Sequence, residues 1–117
     1  MDDPNHAWIR VEDTVLALHE IGKLCRSRVT VPAIGVTGSV GKTTTREMIA
    51  YALSAEKKVY KTQKNYNSSV GLPITMSLMS NDYDIAVLEL GMNVPGELGT
   101  ISEIAQLKMA VLTNVGV

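Results

Sequence analysis

The strongest constraint on the fold is a glycine-rich turn inside the segment VTGSVGKTTTREM, which spans residues 36–48. The turn follows the short apolar run AIGVT and precedes a run with helical character, so a strand, a tight turn and a helix are predicted in direct succession. Gly38 and Gly41 permit backbone conformations that point successive N–H groups inward, which makes a concave site for an anion. This is the setting that a phosphate-binding loop requires.

The residues after these glycines carry the groups that a phosphate chain with a magnesium ion needs. Lys42 is a mobile cation that can reach the β- and γ-phosphates, and Thr43 can place its hydroxyl on Mg²⁺. The common pattern G-x-x-x-x-G-K-[ST] would put a glycine at position 36. This sequence has Val36 there, and its glycine is Gly35. The alternative interpretation is an ordinary glycine-rich strand-to-helix turn with a solvated lysine.

Strand-like and helix-like segments alternate along the chain. Helices are predicted over residues 11–28, 43–55 and 96–106, with a short helix inside 68–80. Strands are predicted over residues 33–37, 58–62, 84–91 and 109–116. This alternation predicts an α/β domain whose sheet is mainly parallel, with helices on both faces.

Helical spacing also predicts which side chains are buried. The first helix is expected to carry Glu12 and Asp13 in its first turn. Its buried face is predicted to contain Val15, Leu18, Ile21 (or Gly22) and Cys25. The second helix is predicted to bury Met48, Ala52 and Ala55.

A carboxylate lies at the C-terminal end of the clearest predicted strand, in the segment VLELGMNVPGE at residues 87–97. A buried carboxylate is costly unless it meets a cation, and ligands of open α/β sheets gather at the carboxyl ends of the strands. Glu89 is therefore a candidate partner for the metal that Thr43 begins to hold, although it can also be a solvated strand end. Asn93 is a candidate substrate contact or a turn residue.

A third polar segment, NYNSSVGLP, lies between a predicted strand and a helix at residues 65–73. Side-chain amides both donate and accept, so they suit a phosphate accompanied by a metal-bound water. A polar turn with a helix N-cap is the equally open alternative.

Composition excludes several classes of protein. The chain of 117 residues fits one domain, and its net charge of −1 favours neither nucleic acid nor an anionic membrane as a partner. Cys25 is the single cysteine, which fits a reducing cytoplasm, and the start MDDPNH is unlike a signal peptide. No apolar run approaches the roughly 20 residues that span a bilayer.

Taken together, these motifs resemble the ATP-binding central domain of the Mur ligases. The resemblance covers residues 11–116 and rests on GVTGSVGKTTTREMI, NYNSSVGLP, ELGMNVPGELGTISEIA and TNVG, in this order. The family pattern T-G-x-x-G-K-T accounts for the displaced glycine. Within the family, the ELGMN string is most similar to the branch that adds D-alanyl-D-alanine. Cyanophycin synthetase and related amide ligases share parts of the pattern, so another ligase of this kind is the alternative.

The resemblance implies a role for each matching position. Lys42 would bind the β- and γ-phosphates and Asn67 would lie near the γ-phosphate, which makes both catalytic candidates. Thr43 and Glu89 would hold Mg²⁺. The whole ATP phosphate loop would comprise Gly38, Ser39, Val40, Gly41, Lys42, Thr43 and Thr44.

Two further positions are substrate candidates by the same resemblance. Asn93 would lie near the bound uridine nucleotide or the metal. Ser68 stands where the family commonly has a second asparagine, and its shorter side chain loses reach. The implied reaction is the ATP- and Mg²⁺-dependent joining of D-alanyl-D-alanine to UDP-N-acetylmuramoyl-tripeptide through an acyl phosphate, in the peptidoglycan pathway of a bacterial cytoplasm.

The chain is expected to be one partial domain, with an entry segment and leading helix at 1–30 and a phosphate-loop core at 31–117 that is truncated at its C-terminal end. Alone it is expected to be inactive as a ligase, and its open sheet edge is a candidate surface for self-association. The other functional hypotheses are a stand-alone nucleotide-binding module and a structural domain with an empty loop. The absence of an N-K-x-D motif disfavours a GTPase.

Overall fold

The computed structural model describes residues 6–63, 66, 68–91 and 96–114. Helices and strands alternate along this part of the chain, as the sequence predicts. In order they are α1 (Thr14–Ser27), β1 (Ala33–Thr37), α2 (Lys42–Leu53), β2 (Val59–Lys61), α3 (Gly71–Leu78), β3 (Ile85–Glu89), α4 (Glu97–Ala105) and β4 (Met109–Leu112).

The four strands form one parallel sheet in the order β2-β3-β1-β4. The register pairs Val36 of β1 with Glu89 of β3 on one side and with Val111 of β4 on the other. Because parallel strands point the same way, the segments that follow β1, β3 and β4 all leave the sheet at the carboxyl-terminal edge, where the strands end. This carboxyl-terminal edge is where the sequence predicts a ligand site.

Helices cover both faces of the sheet, which confirms the predicted fold class. Helix α2 packs on the face that carries Val36 and Val87, while α1, α3 and α4 pack together on the opposite face. The main core lies on the second face, where aliphatic side chains of the helices meet those of the strands. Its fully buried members include Ala33, Leu72, Met76, Ala86, Leu88, Ile101 and Ile104.

Helix α1 begins at Thr14, three residues later than predicted, because Asp13 is its N-cap. The Asp13 carboxylate accepts hydrogen bonds from the backbone amides of Val15 and Leu16, so neither Glu12 nor Asp13 belongs to the first turn. The predicted buried face was right in its alternative Gly22, which is buried, and wrong for Val15 and Ile21, which are exposed; Arg26 is buried and was not predicted to be.

The reason is the close approach of α1 to α3. A Cβ placed on Gly22 would lie 2.8 Å from Cα and Cβ of Pro73, so a glycine is needed where the two helices touch. Arg26 then reaches past this contact, and its guanidinium donates to the carbonyl oxygens of Val29, Ala105 and Gln106. Burial lowers the pKa of Arg26, and these acceptors offset the cost of burying the charge. The same hydrogen bonds from Arg26 satisfy backbone carbonyl groups at the end of α4.

The buried face of α2 also differs from the prediction. Met48 is 68 % exposed, Ala52 is exposed and Ala55 lies beyond the helix, whereas Arg46 and Ala50 are buried. The spacing of apolar residues predicted the wrong face of α2 because the inward-facing position 46 is occupied by a charged residue, Arg46. Its partner comes from β3, which helical spacing within α2 does not reveal.

The strand β4 forms one edge of the sheet and ends at Leu112, shorter than the predicted 109–116. Met109 and Leu112 are more than half exposed along this edge. Residues 115 and 116 of the predicted strand lie outside the described residues. Among the described residues, no helix is long and apolar enough to cross a membrane.

The contact between α1 and α3 generates the first prediction. Gly22→Ala should destabilise the chain, because overpacking costs about 1–3 kcal/mol and outweighs the roughly 1 kcal/mol gain in helix propensity. Gly99→Ala in α4 is the matched control, since a Cβ there meets nothing within 4 Å. It should leave stability unchanged or raise it. The midpoints of thermal unfolding of the two variants test this prediction. Equal midpoints would contradict the close packing of α1 against α3.

Candidate functional site

The predicted phosphate loop leaves β1 at its carboxyl end and runs into α2. Gly38 has φ 138° and Gly41 has φ 87°, conformations that favour glycine. Gly38 is further restricted because a Cβ there would collide with the hydroxyl of Thr113. Both glycines are therefore required by the path of the backbone.

The displaced glycine of the motif has a different purpose. Gly35 lies inside β1, and a Cβ there would come within 2.9 Å of Cδ1 of Leu90 and still closer to Leu107. Val36 is fully buried on the face that α2 covers. Gly35 thus permits core packing, whereas the backbone of the loop turns at Gly38.

Lys42 is the first residue of α2, and its side chain folds back over the loop. Its Nζ donates to the carbonyl oxygen of Gly38 at 2.8 Å. Thr43 and Thr44 follow in the first turn of the helix. The lysine is thereby held beside the loop amides, within reach of any anion that they bind.

Asn114 holds two of these loop amides. Its side-chain oxygen accepts from the backbone N–H of Ser39 at 3.1 Å and of Val40 at 3.0 Å. The Thr113 hydroxyl donates to the carbonyl oxygen of Val40 at 2.7 Å. Sequence reasoning did not identify either residue as part of the site. The available signal was their position directly after β4, at the same edge of the sheet.

Glu89 ends β3 and lies directly beside α2. It is only 6 % exposed, and its carboxylate oxygens accept from the Thr43 hydroxyl at 3.2 and 3.1 Å. Arg46 donates from Nη1 to the same carboxylate at 2.9 Å. The two predicted metal ligands, which are 46 residues apart in the chain, are therefore in contact. Arg46 was not predicted to take part, although it lies one helical turn after Thr43.

An ion network continues from Arg46 to the edge strand β2. Arg46 Nη2 lies 2.8 Å from the Glu47 carboxylate, and Lys61 Nζ lies 2.7 Å from its other oxygen. The hydrogen bonds from Lys61 and Arg46 hold the pKa of Glu47 below its usual value. Next to this network, the Thr62 hydroxyl accepts from the backbone N–H of Glu89 at 2.8 Å, which ties the end of β2 to β3.

The donor set of Thr43 and Glu89 fits a magnesium ion. Mg²⁺ prefers oxygen ligands and is usually held by one or two carboxylates together with substrate phosphates and waters. The described residues contain no group of three or more His, Cys, Asp or Glu side chains that could form a complete protein cage. A hydroxyl and a carboxylate beside the predicted phosphate loop match the type of magnesium site that a bound phosphate would complete.

The asparagine-rich segment is described only in part. Asn67 and Asn93 lie outside the described residues, so their predicted roles stay predictions. The neighbouring Ser69 accepts a hydrogen bond at its carbonyl oxygen from Nε2 of His19 in α1, at 2.8 Å. Ser68 is also described, and its hydroxyl accepts from the backbone N–H groups of Val70 and Gly71 at the start of α3. Ser68 thus bonds backbone amides near the start of α3, while the N-cap position of that helix is Val70, which makes no side-chain capping bond.

Comparison with known protein families gives a match to the Mur ligase middle domain over residues 36–117. Among curated proteins, UDP-N-acetylmuramoyl-tripeptide--D-alanyl-D-alanine ligase from Synechocystis sp. is 46 % identical over 110 residues, which are 94 % of this chain and 24 % of that protein. The ligase of the same name from Bacillus subtilis is 45 % identical over 112 residues, 96 % of this chain and 24 % of that protein. The chain spans about a quarter of the length of these relatives.

Solved structures agree with this result. A MurF structure from Acinetobacter baumannii matches with a TM-score of 0.88 and 37 % identity, covering 92 % of this chain and 24 % of that one. MurF ligase from Thermotoga maritima, solved in complex with ADP, matches with a TM-score of 0.84 and 35 % identity, covering 92 % of this chain and 25 % of that one. The family match extends over most of the chain and includes the loop, Glu89 and Asn114, so this chain belongs to the Mur ligase family through its middle domain.

Proposed function

We propose that the chain is the ATP-binding part of a ligase that joins D-alanyl-D-alanine to UDP-N-acetylmuramoyl-tripeptide. The observation that carries this proposal is the convergence of Lys42, Thr43 and Glu89 beside the glycine turn that follows β1. The names of the similar ligases support the choice of substrates over those of other amide ligases. The ADP in the Thermotoga maritima structure supports the choice of nucleotide.

The proposed reaction has two steps. A carboxylate oxygen of the tripeptide attacks the γ-phosphorus of ATP, the bond to the β-γ bridging oxygen breaks, and ADP leaves. The amine of D-alanyl-D-alanine then attacks the acyl carbon, an amide bond forms, and inorganic phosphate leaves as the amine loses a proton. Both steps develop negative charge on phosphate oxygens, so they need cationic and N–H groups held in place.

The residues of this chain supply such groups. Lys42 would exchange its hydrogen bond with the Gly38 carbonyl for the β- and γ-phosphate oxygens. The Ser39 and Val40 amides would bind phosphate in place of the Asn114 side chain. Thr43 and Glu89 would hold Mg²⁺, which when bound neutralises charge on the transferring phosphoryl group.

The remaining proposed roles concern the polar loops. Asn67 would place its amide near the γ-phosphate, and Asn93 would lie near the uridine nucleotide or the metal. Ser68 is the weakest substrate candidate, because its hydroxyl is engaged at the start of α3. We also propose that the protein is located in the cytoplasm.

Removal of the loop lysine tests the nucleotide site. Lys42→Ala should weaken ADP binding by about 1.5–3 kcal/mol, or roughly 10- to 150-fold, because a charge-assisted contact is lost. Lys57→Ala, at an exposed position beyond the end of α2, removes the same charge and should leave binding within about twofold. Isothermal calorimetry measures both. Equal ADP affinities of the two variants would contradict the assignment of the nucleotide site to the loop beside Lys42.

Neutralising the carboxylate tests the metal assignment. Glu89→Gln keeps the size of the side chain but removes its charge, so it should weaken ADP binding in Mg²⁺ more than ADP binding in EDTA. Glu56→Gln, at an exposed position, is the matched control and should change neither. If Glu89→Gln loses the same factor with and without magnesium, Glu89 is structural and the assignment is wrong.

The contact of Asn114 with the loop gives a fourth prediction. Phosphate oxygens and the Asn114 oxygen compete for the same N–H groups, so Asn114→Asp should weaken ADP binding about fivefold or more, since a like charge about 4 Å away costs on the order of 1–4 kcal/mol. Asn114→Ala removes the competitor and should bind ADP at least as tightly as the parent chain. Weaker binding by the alanine variant would show that Asn114 braces the loop instead.

A further inference from the structure

Arg46 is a buried cation between two carboxylates. It is 7 % exposed, and its guanidinium lies 2.9 Å from Glu89 and 2.8 Å from Glu47. Within the part of the chain that the structure describes, its Nε is buried without a hydrogen-bond partner. The side chain therefore has an incomplete set of partners for a buried charge, and its position is determined by the two ion pairs.

The two ion pairs differ in environment. The Glu47 side chain is 45 % exposed and also binds Lys61, so water and a second cation can compensate its charge. The Glu89 side chain is 7 % exposed. A buried carboxylate without a cation is strongly unfavourable, so the contact with Glu89 is the one that stability depends on.

Other cations of the region are directed elsewhere. Lys42 donates to the Gly38 carbonyl, and Lys61 reaches Glu47 from the edge strand. Arg46, by contrast, contacts Glu89 directly. The oxygen it binds, Oε2, also accepts from the Thr43 hydroxyl, so Arg46 lies immediately beside the proposed metal site.

We propose that Arg46 is the internal counter-ion of Glu89. In the metal-free chain it supplies the positive charge that the buried carboxylate requires, and with metal bound its own charge opposes the nearby ion. Arg46 therefore stabilises the empty site and lowers the affinity of the site for Mg²⁺. The second part of the inference rests on the proposed function, and the first part does not.

Unfolding in magnesium-free buffer tests the first part. Arg46→Gln removes a cation that contacts the buried Glu89 carboxylate, so the midpoint of thermal unfolding should fall by roughly 10 °C or more. The double variant Arg46→Gln with Glu89→Gln removes both charges and should recover much of that loss. Additive losses would show that the two side chains are not coupled, which would overturn the counter-ion assignment.

Magnesium linkage tests the second part. The quantity is the ratio of the ADP dissociation constants measured in EDTA and in Mg²⁺. Arg46→Gln should raise this ratio at least about fivefold, because a positive charge close to the ion is removed. Arg46→Lys keeps the charge and should stay within about twofold of the parent chain, as should Glu47→Gln, which removes the exposed partner.

The outcomes separate the explanations. A ratio that is unchanged or lower in Arg46→Gln would mean that Arg46 is a structural or orienting residue, and the proposal would be wrong. If Arg46→Gln does not fold, Arg46→Lys decides the metal part, because a changed ratio despite the retained charge would contradict it. If the parent chain does not bind ADP, the proposed function fails, while the unfolding cycle still decides the counter-ion assignment.

Discussion

Parallel pairing of β1 with β3 and β4 is the constraint on which the candidate site depends. The register places Val36 beside both Glu89 and Val111, so the phosphate loop, the Glu89 carboxylate and the Thr113–Asn114 pair emerge at one edge. A shift of β3 by one residue would turn Glu89 to the opposite face of the sheet, away from α2. Side chains that are far apart in sequence meet here because of the sheet.

The polar groups of this edge satisfy one another. Lys42 is bonded to the Gly38 carbonyl, Asn114 to the loop amides, and Glu89 to Thr43 and Arg46. Buried or partly buried polar groups need such partners when no ligand is bound. A nucleotide that enters the loop must therefore exchange existing hydrogen bonds for its own, and its affinity depends on the difference between the two sets.

Glycine serves three different purposes in this small domain. Gly38 provides a left-handed backbone conformation in the loop, Gly35 leaves room for Leu90 and Leu107, and Gly22 lets α1 approach α3. The first purpose is recognisable from the sequence, because it belongs to a strand–turn–helix motif. The other two depend on side chains distant in sequence, which no local pattern identifies.

The sequence by itself determined the order and type of the elements, the α/β class, the glycine turn between β1 and α2 and the family. Short apolar runs and a glycine turn are local signals, so they can be recognised without the fold. Tertiary structure alone decided between Ile21 and Gly22 on the buried face of α1, added Arg26 to that face, paired Arg46 with Glu89 and bonded Asn114 to the loop. Burial of a charge or an amide depends on a partner supplied by another element, and that partner is known only when the chain has folded.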